Sequence, residues 1–123
     1  MKATSFWHSI ACAASGLRHV WRSGLNPKIE VLIAVAVVVV GLCLPLSRAD
    51  WAILVLTIGM VLAAEAANTA IEAVVDLASP EYHDLAKLAK DVAAGAVLIL
   101  AIAAIVIGLL VLGPPLLERL KLA

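Results

Sequence analysis

Residues 92–112 constrain this chain more than any other stretch. They carry no charged side chain and are closed by Gly113-Pro114-Pro115. About 20 predominantly apolar residues cross a bilayer core, with about 17 as the lower limit. A helix satisfies its own backbone hydrogen bonds there. Two further segments reach that length: residues 31–47, at the short end, and residues 51–71, which contain Glu65 and Asn68. Hydrophobic residues make up 64% of the chain, against roughly 45–50% in a soluble domain, and mean hydropathy is +1.10. The expectation is an all-α integral membrane protein, one domain over residues 1–123, with three transmembrane helices.

Before the first span, residues 4–22 read as an amphipathic helix. Phe6, Ile10, Ala13 or Ala14, Leu17 and Val20 or Trp21 recur every three or four residues, while His8, Ser15, His19 and Arg22 point elsewhere. Such a helix lies in the membrane interface; the alternative is packing against the bundle from the aqueous side. Ser23 to Pro27 is expected to break it. Residues 1–30 lack the continuous apolar core of a signal peptide, so the amino terminus is expected to be retained. Residues 46–50 read as a tight turn. Ser79-Pro80 is expected to open the connection to a helix that starts near Glu81 and runs into the third span.

Lys2, Arg18, Arg22, Lys28, Lys87 and Lys90 fall on one side of this topology; Arg48, Arg119 and Lys121 fall on the other. Six against three places the amino terminus and the loop before the third span in the cytoplasm. The formal net charge is zero, which argues neither for nor against nucleic acid, and no nucleic-acid partner is expected. Cys12 and Cys43 lack metal-ligand spacing and read as small packing residues.

The chemistry lies in EAANTAIEAVVD, residues 65–76. Glu65, Asn68, Glu72 and Asp76 follow at intervals of three, four and four, which at about 100° per residue puts them on one helix face. A carboxylate at membrane depth costs roughly 2.5–3.5 kcal/mol even on insertion scales, so it marks a working site. Glu65 and Glu72 are separated by roughly 10 Å along the axis and cannot share one ion from a straight helix. Glu65, the deeper, suits a general base; Glu72 suits Mg²⁺, which takes one or two carboxylates plus phosphate oxygens. Lys90-Asp91 adds a cation and a carboxylate at the start of the third span. A lysine for phosphate, carboxylates for Mg²⁺ and a buried base meet the needs of phosphoryl transfer. There is no G-x-x-x-x-G-K-[ST] run, so this is not a P-loop enzyme.

Each residue also has a plainer reading. Glu65 and Asn68 can tie helices together, Asp76, Glu81 and Asp84 can be solvated loop charges, and His83 can be structural. Spacing alone supports a proton-coupled transporter nearly as well as a kinase.

The run EAANTAIEAVVDLASPEYHDLAKLAKDVAAGAVL, residues 65–98, resembles the prokaryotic diacylglycerol kinase and undecaprenol kinase family. The shared hallmarks are E-x-x-N-[ST]-A-I-E-x-V-V-D, E-Y-H and A-K-D-x-x-[AS]-A-x-V-L. The S-P-E-Y-H and A-K-D-V-A-A-G-A-V wording is closer to the undecaprenol kinase branch. The resemblance implies an ATP-dependent kinase of a membrane lipid, undecaprenol first and diacylglycerol second. It implies a homotrimer in the bacterial inner membrane, with sites shared between subunits. By motif, Glu65 would be the base on the lipid hydroxyl and Glu72 a Mg²⁺ ligand. Asn68 and Asp76 would support the site, and Lys90 and Asp91 would contact nucleotide and substrate. The family's glutamate after the first helix is absent, and Gly24 stands there. Glu30 is the nearest acid and the candidate second Mg²⁺ ligand, and a glycine at position 24 also admits a positive φ. The competing class is a non-catalytic member or a small membrane transport or interaction subunit.

Overall fold

The computed structural model describes residues 5–122, all of which lie in four helices and their connections. Lys2, counted in the charge balance, and position 4, the expected start of the first helix, lie outside the described residues.

Helix α1, Phe6–Arg22, is capped by Ser5, whose hydroxyl accepts from the His8 N–H at 3.1 Å. None of its residues is buried, and Phe6, Trp7, Ile10, Leu17 and Trp21 stay exposed. That apolar stripe is what an interfacial helix needs.

The break after α1 is shorter than expected. Ser23 ends α1 and Gly24 caps α2, Leu25–Leu42. Pro27 therefore falls in the first turn of α2, where its missing N–H costs nothing. Lys28 fixes the elbow: its Nζ donates to the carbonyls of Trp21 at 2.6 Å and Gly24 at 3.0 Å. Its ammonium also stands 5.3 Å from the Trp21 ring centroid. Gly24 has φ 170° and ψ −169°, an extended backbone open to any residue, so the positive-φ reading is corrected.

Consequently the first apolar helix starts and ends earlier than residues 31–47. Lys28 and Glu30 interrupt the apolar pattern but lie inside the helix, and α2 stops at Leu42. Pro45 lies in the turn that follows, where Leu44 is buried. The turn spans residues 43–47 rather than 46–50, because Ser47 and Asp50 form a reciprocal cap that starts α3 at Arg48.

Helix α3, Arg48–Ala78, is roughly 46 Å long at 1.5 Å per residue. It is longer than a bilayer core of roughly 30 Å is thick. Helix α4, Asp84–Leu122, begins after a loop over residues 79–83. It starts three residues later than expected, at the point where the His83 ring Nδ1 accepts the Leu85 N–H at 3.0 Å. Pro114 and Pro115 do not close it; they lie inside the helix. The extension beyond them is held by Arg119, whose Nη1 donates to the Cys43 carbonyl at 2.7 Å.

The main packing is α3 against α4, with α2 beside α3. At the α2–α3 crossing a Cβ on Gly41 would stand 2.8 Å from the Trp51 ring, so the approach requires glycine. Buried hydrophobic residues among those described are few, Leu44, Leu54 and Ala93, and the one buried charged side chain is Glu65. Three helices, α2, α3 and α4, are long and apolar enough to cross a membrane.

Candidate active site

The acidic face of α3 holds as predicted, and its members differ sharply in burial. Glu65 is 8% exposed, Asn68 is half-buried, and Glu72 and Asp76 are exposed. The gradient follows the helix as it emerges from the α2–α3–α4 contact. Thr69 returns its hydroxyl to the Glu65 carbonyl at 3.0 Å, so Thr69 serves the backbone rather than the site.

Each acidic residue has a distinct neighbour. Glu65 meets Glu30 of α2, close enough for the two carboxyls to interact directly. Asn68 Nδ2 donates to Glu72 Oε1 at 3.2 Å, one turn along α3. Asp76 Oδ1 accepts from Lys90 Nζ across the α3–α4 interface at 2.5 Å. Asp91 Oδ2 accepts from Lys87 Nζ at 2.6 Å. Glu72 also lies within electrostatic range of Lys90. The predicted residues thus form a line, from the Glu30–Glu65 pair through Asn68 and Glu72 to Asp76 and Lys90. Asp91 faces Lys87 beside that line, and Gly24 lies at the α1–α2 elbow with nothing within 4 Å of where a Cβ would stand.

Two buried oxygens have no hydrogen-bond partner among the described residues: Glu30 Oε2 and Asn68 Oδ1. Buried polar atoms are normally satisfied, and Glu30 faces the Glu65 carboxyl, which leaves Asn68 Oδ1 as the oxygen open to a donor or cation. No three acidic, imidazole or thiol groups converge among the described residues. An ion here would complete its shell from substrate phosphates and water, the habit of Mg²⁺. Asn68 Oδ1 and the Glu72 carboxylate are hard oxygen donors of the right kind.

The outer end opens into a hollow of about 370 Å³. Asp76, Lys87, Lys90 and Asp91 line it together with Tyr82 and His83 from the loop. Tyr82 donates its hydroxyl to Asp84 Oδ1 at 3.0 Å. His83 does cap α4, as a structural histidine should, yet it also borders the hollow. Lys87 and Tyr82 were not legible as site residues from spacing, although Tyr82 belongs to the E-Y-H element.

The chain is similar to known proteins along most of its length. A family model described as prokaryotic diacylglycerol kinase matches residues 11–112. Identity to an undecaprenol kinase of Bacillus subtilis is 40% over 111 residues, covering 90% of each chain. Identity to a diacylglycerol kinase of Synechocystis is 44% over 111 residues, covering 89% of this chain and 63% of that one. A diacylglycerol kinase of Escherichia coli is 35% identical over 91 residues, covering 74% of this chain and 75% of the other.

Proposed function

The chain belongs to the prokaryotic diacylglycerol kinase family, which makes it a lipid kinase, and we propose that it transfers the γ-phosphoryl group of ATP to the primary hydroxyl of a membrane lipid. The observation that carries this reading is the position of Glu65, a buried carboxyl at membrane depth on the same helix face as an exposed, lysine-bearing mouth. A lipid hydroxyl can approach from the apolar side while a nucleotide approaches from water.

Glu65 accepts the hydroxyl proton as the oxygen attacks the γ-phosphorus, and the bond to the β–γ bridging oxygen breaks to release ADP. Lys90, free to leave its exposed partner Asp76, turns to the phosphates. An exposed ion pair is screened by water and contributes little, so that exchange is easy. Asn68 holds Glu72 in place through its amide, and Asp91 keeps Lys87 at the rim of the hollow. A triphosphate facing this many carboxylates needs cationic company. Glu72 and Asn68 Oδ1 would hold Mg²⁺, which when bound supplies charge neutralisation for the phosphates.

Undecaprenol is the first acceptor and diacylglycerol the second. The relative matched along nine-tenths of both lengths carries the undecaprenol kinase name, which supports that order. The protein is read as a homotrimer in the bacterial inner membrane with its amino terminus in the cytoplasm. The sparse protomer core and the charge asymmetry favour this arrangement, since few span residues are buried within one copy.

The test is phosphorylation by purified protein with Mg²⁺–ATP and each lipid in parallel. Transfer to undecaprenol with the higher catalytic efficiency is expected. Absence of transfer to any lipid would move the chain to the non-catalytic class.

A further inference from the structure

Two side chains of α1 take no part in the site on α3. Cys12 Sγ lies 3.6 Å from His8 Nε2, one turn earlier on the helix. Metal-ligand spacing, absent between the two cysteines, is present in this pair. At about 100° per residue, His8, Cys12, Ser15 and His19 share a sector of about 60°. Phe6, Ile10, Leu17 and Trp21 share another, and the two sectors point about 180° apart. With the apolar stripe in the interface, the sulfur and the imidazole face water. Cys12 is exposed, which corrects its reading as a small packing residue.

A thiol and an imidazole four residues apart on a helix can chelate a soft or borderline cation. Zn²⁺ binds sulfur at about 2.3 Å and imidazole nitrogen at about 2.0–2.1 Å. With a tetrahedral angle between those bonds, sulfur and nitrogen stand about 3.6 Å apart. His8 and Cys12 already hold that separation, so one ion bridges them without moving them apart. The tautomer also suits a metal. A thiol that donates to Nε2 leaves the imidazole proton on Nδ1, and exchanging the thiol proton for a metal leaves it there.

We infer that His8 and Cys12 form a two-ligand site for a thiophilic divalent cation of the Zn²⁺ type, on the water-facing side of α1. On binding, the thiol proton passes to water and a metal–sulfur bond takes its place, while Nε2 gives its lone pair. Water fills the remaining positions, since no third imidazole, thiol or carboxyl converges there among the described residues. His19 lies seven residues beyond Cys12, roughly 10 Å further along the axis, and does not reach. Mg²⁺ takes oxygen ligands and does not compete. The site is thus chemically distinct from Glu72 and Asn68. An ion held there ties one turn of α1 together and stabilises the folded helix, because the unfolded segment lacks the paired ligands.

The test uses untagged full-length protein in detergent, reduced and stripped of metal, with Co²⁺ as the probe and Mg²⁺ in excess. Cobalt bound to a thiolate shows a sulfur-to-metal charge-transfer band in the near ultraviolet. Wild type should show that band, and Zn²⁺ should abolish it by displacing the cobalt. Cys12→Ser should remove the band. Loss of an outer-shell partner alone weakens metal binding about 10–100-fold, so His8→Ala should raise the half-saturating Co²⁺ concentration at least about tenfold. His8→Gln should match it, and serves where the alanine variant does not fold. Cys43→Ser and His19→Ala should bind as wild type does. No band in wild type, a band that survives Cys12→Ser, or unchanged half-saturation in both His8 variants would each overturn the inference. Loss of the band in Cys43→Ser would also overturn it, by placing the ion on the two cysteines. The readout needs neither lipid nor ATP, so its outcome is independent of the kinase reading.

Discussion

Glu30 of α2 and Glu65 of α3 stand carboxyl to carboxyl where the two helices approach. Glu65 is buried, and Glu30 Oε2 lacks a partner among the described residues. Glu30, the acid nearest Gly24 in the sequence, therefore has Glu65 as its acidic neighbour on α3. A carboxyl beside Glu65 can act on the lipid hydroxyl, as an alternative to ligating Mg²⁺.

Glu30→Gln and Gly24→Glu separate that role from metal binding. Glu30→Gln is expected to lower lipid turnover while leaving the Mg²⁺ titration unchanged. Gly24→Glu fits an extended backbone with open space around it, so it should fold normally and lower the Mg²⁺ concentration for half-maximal rate. A Mg²⁺ titration shifted by Glu30→Gln and untouched by Gly24→Glu would return Glu30 to the metal.

Glu72→Ala removes the carboxylate that Asn68 orients. The expected outcome is a rise in the Mg²⁺ requirement, since a hard oxygen ligand is lost. Activity that falls with an unchanged Mg²⁺ dependence would dismiss the metal role.

Lys90→Ala leaves Asp76 without its cross-helix partner. An exposed pair is screened by water and adds little to stability, so unfolding should shift little while KM for ATP rises. Lys90→Arg should recover part of the ATP affinity. Equal losses of stability and ATP binding would make Lys90 a helix tie.

Gly41→Ala tests the α2–α3 crossing. The added methyl meets the Trp51 ring at 2.8 Å, and overpacking of that kind costs typically 1–3 kcal/mol. Thermal unfolding in detergent should fall by several degrees. A second change, Trp51→Phe, should relieve part of the loss. An unchanged midpoint would mean that the crossing has slack.

Periodicity carried the acidic face of α3 completely, because Glu65, Asn68, Glu72 and Asp76 are local on one helix. The tertiary pairs were hidden. Asp76 and Lys90 are 14 residues apart, and Glu30 and Glu65 meet only when α2 packs on α3. The start of α2 was misplaced because Lys28 and Glu30 look like residues outside a span; Lys28 instead folds back onto carbonyls of the elbow. Pro114-Pro115 reads as a stop, yet the helix continues past it, tied by Arg119 to Cys43.

The central claim, that Glu65 is the base of a lipid kinase, is tested most directly by Glu65→Gln. Glutamine keeps the volume and some hydrogen bonding but cannot take the hydroxyl proton. Turnover of undecaprenol by purified protein at saturating Mg²⁺–ATP is predicted to fall at least about 10²-fold, with ATP affinity little changed. Near-normal turnover in a folded Glu65→Gln protein would contradict the account and leave Glu65 as a helix-packing residue.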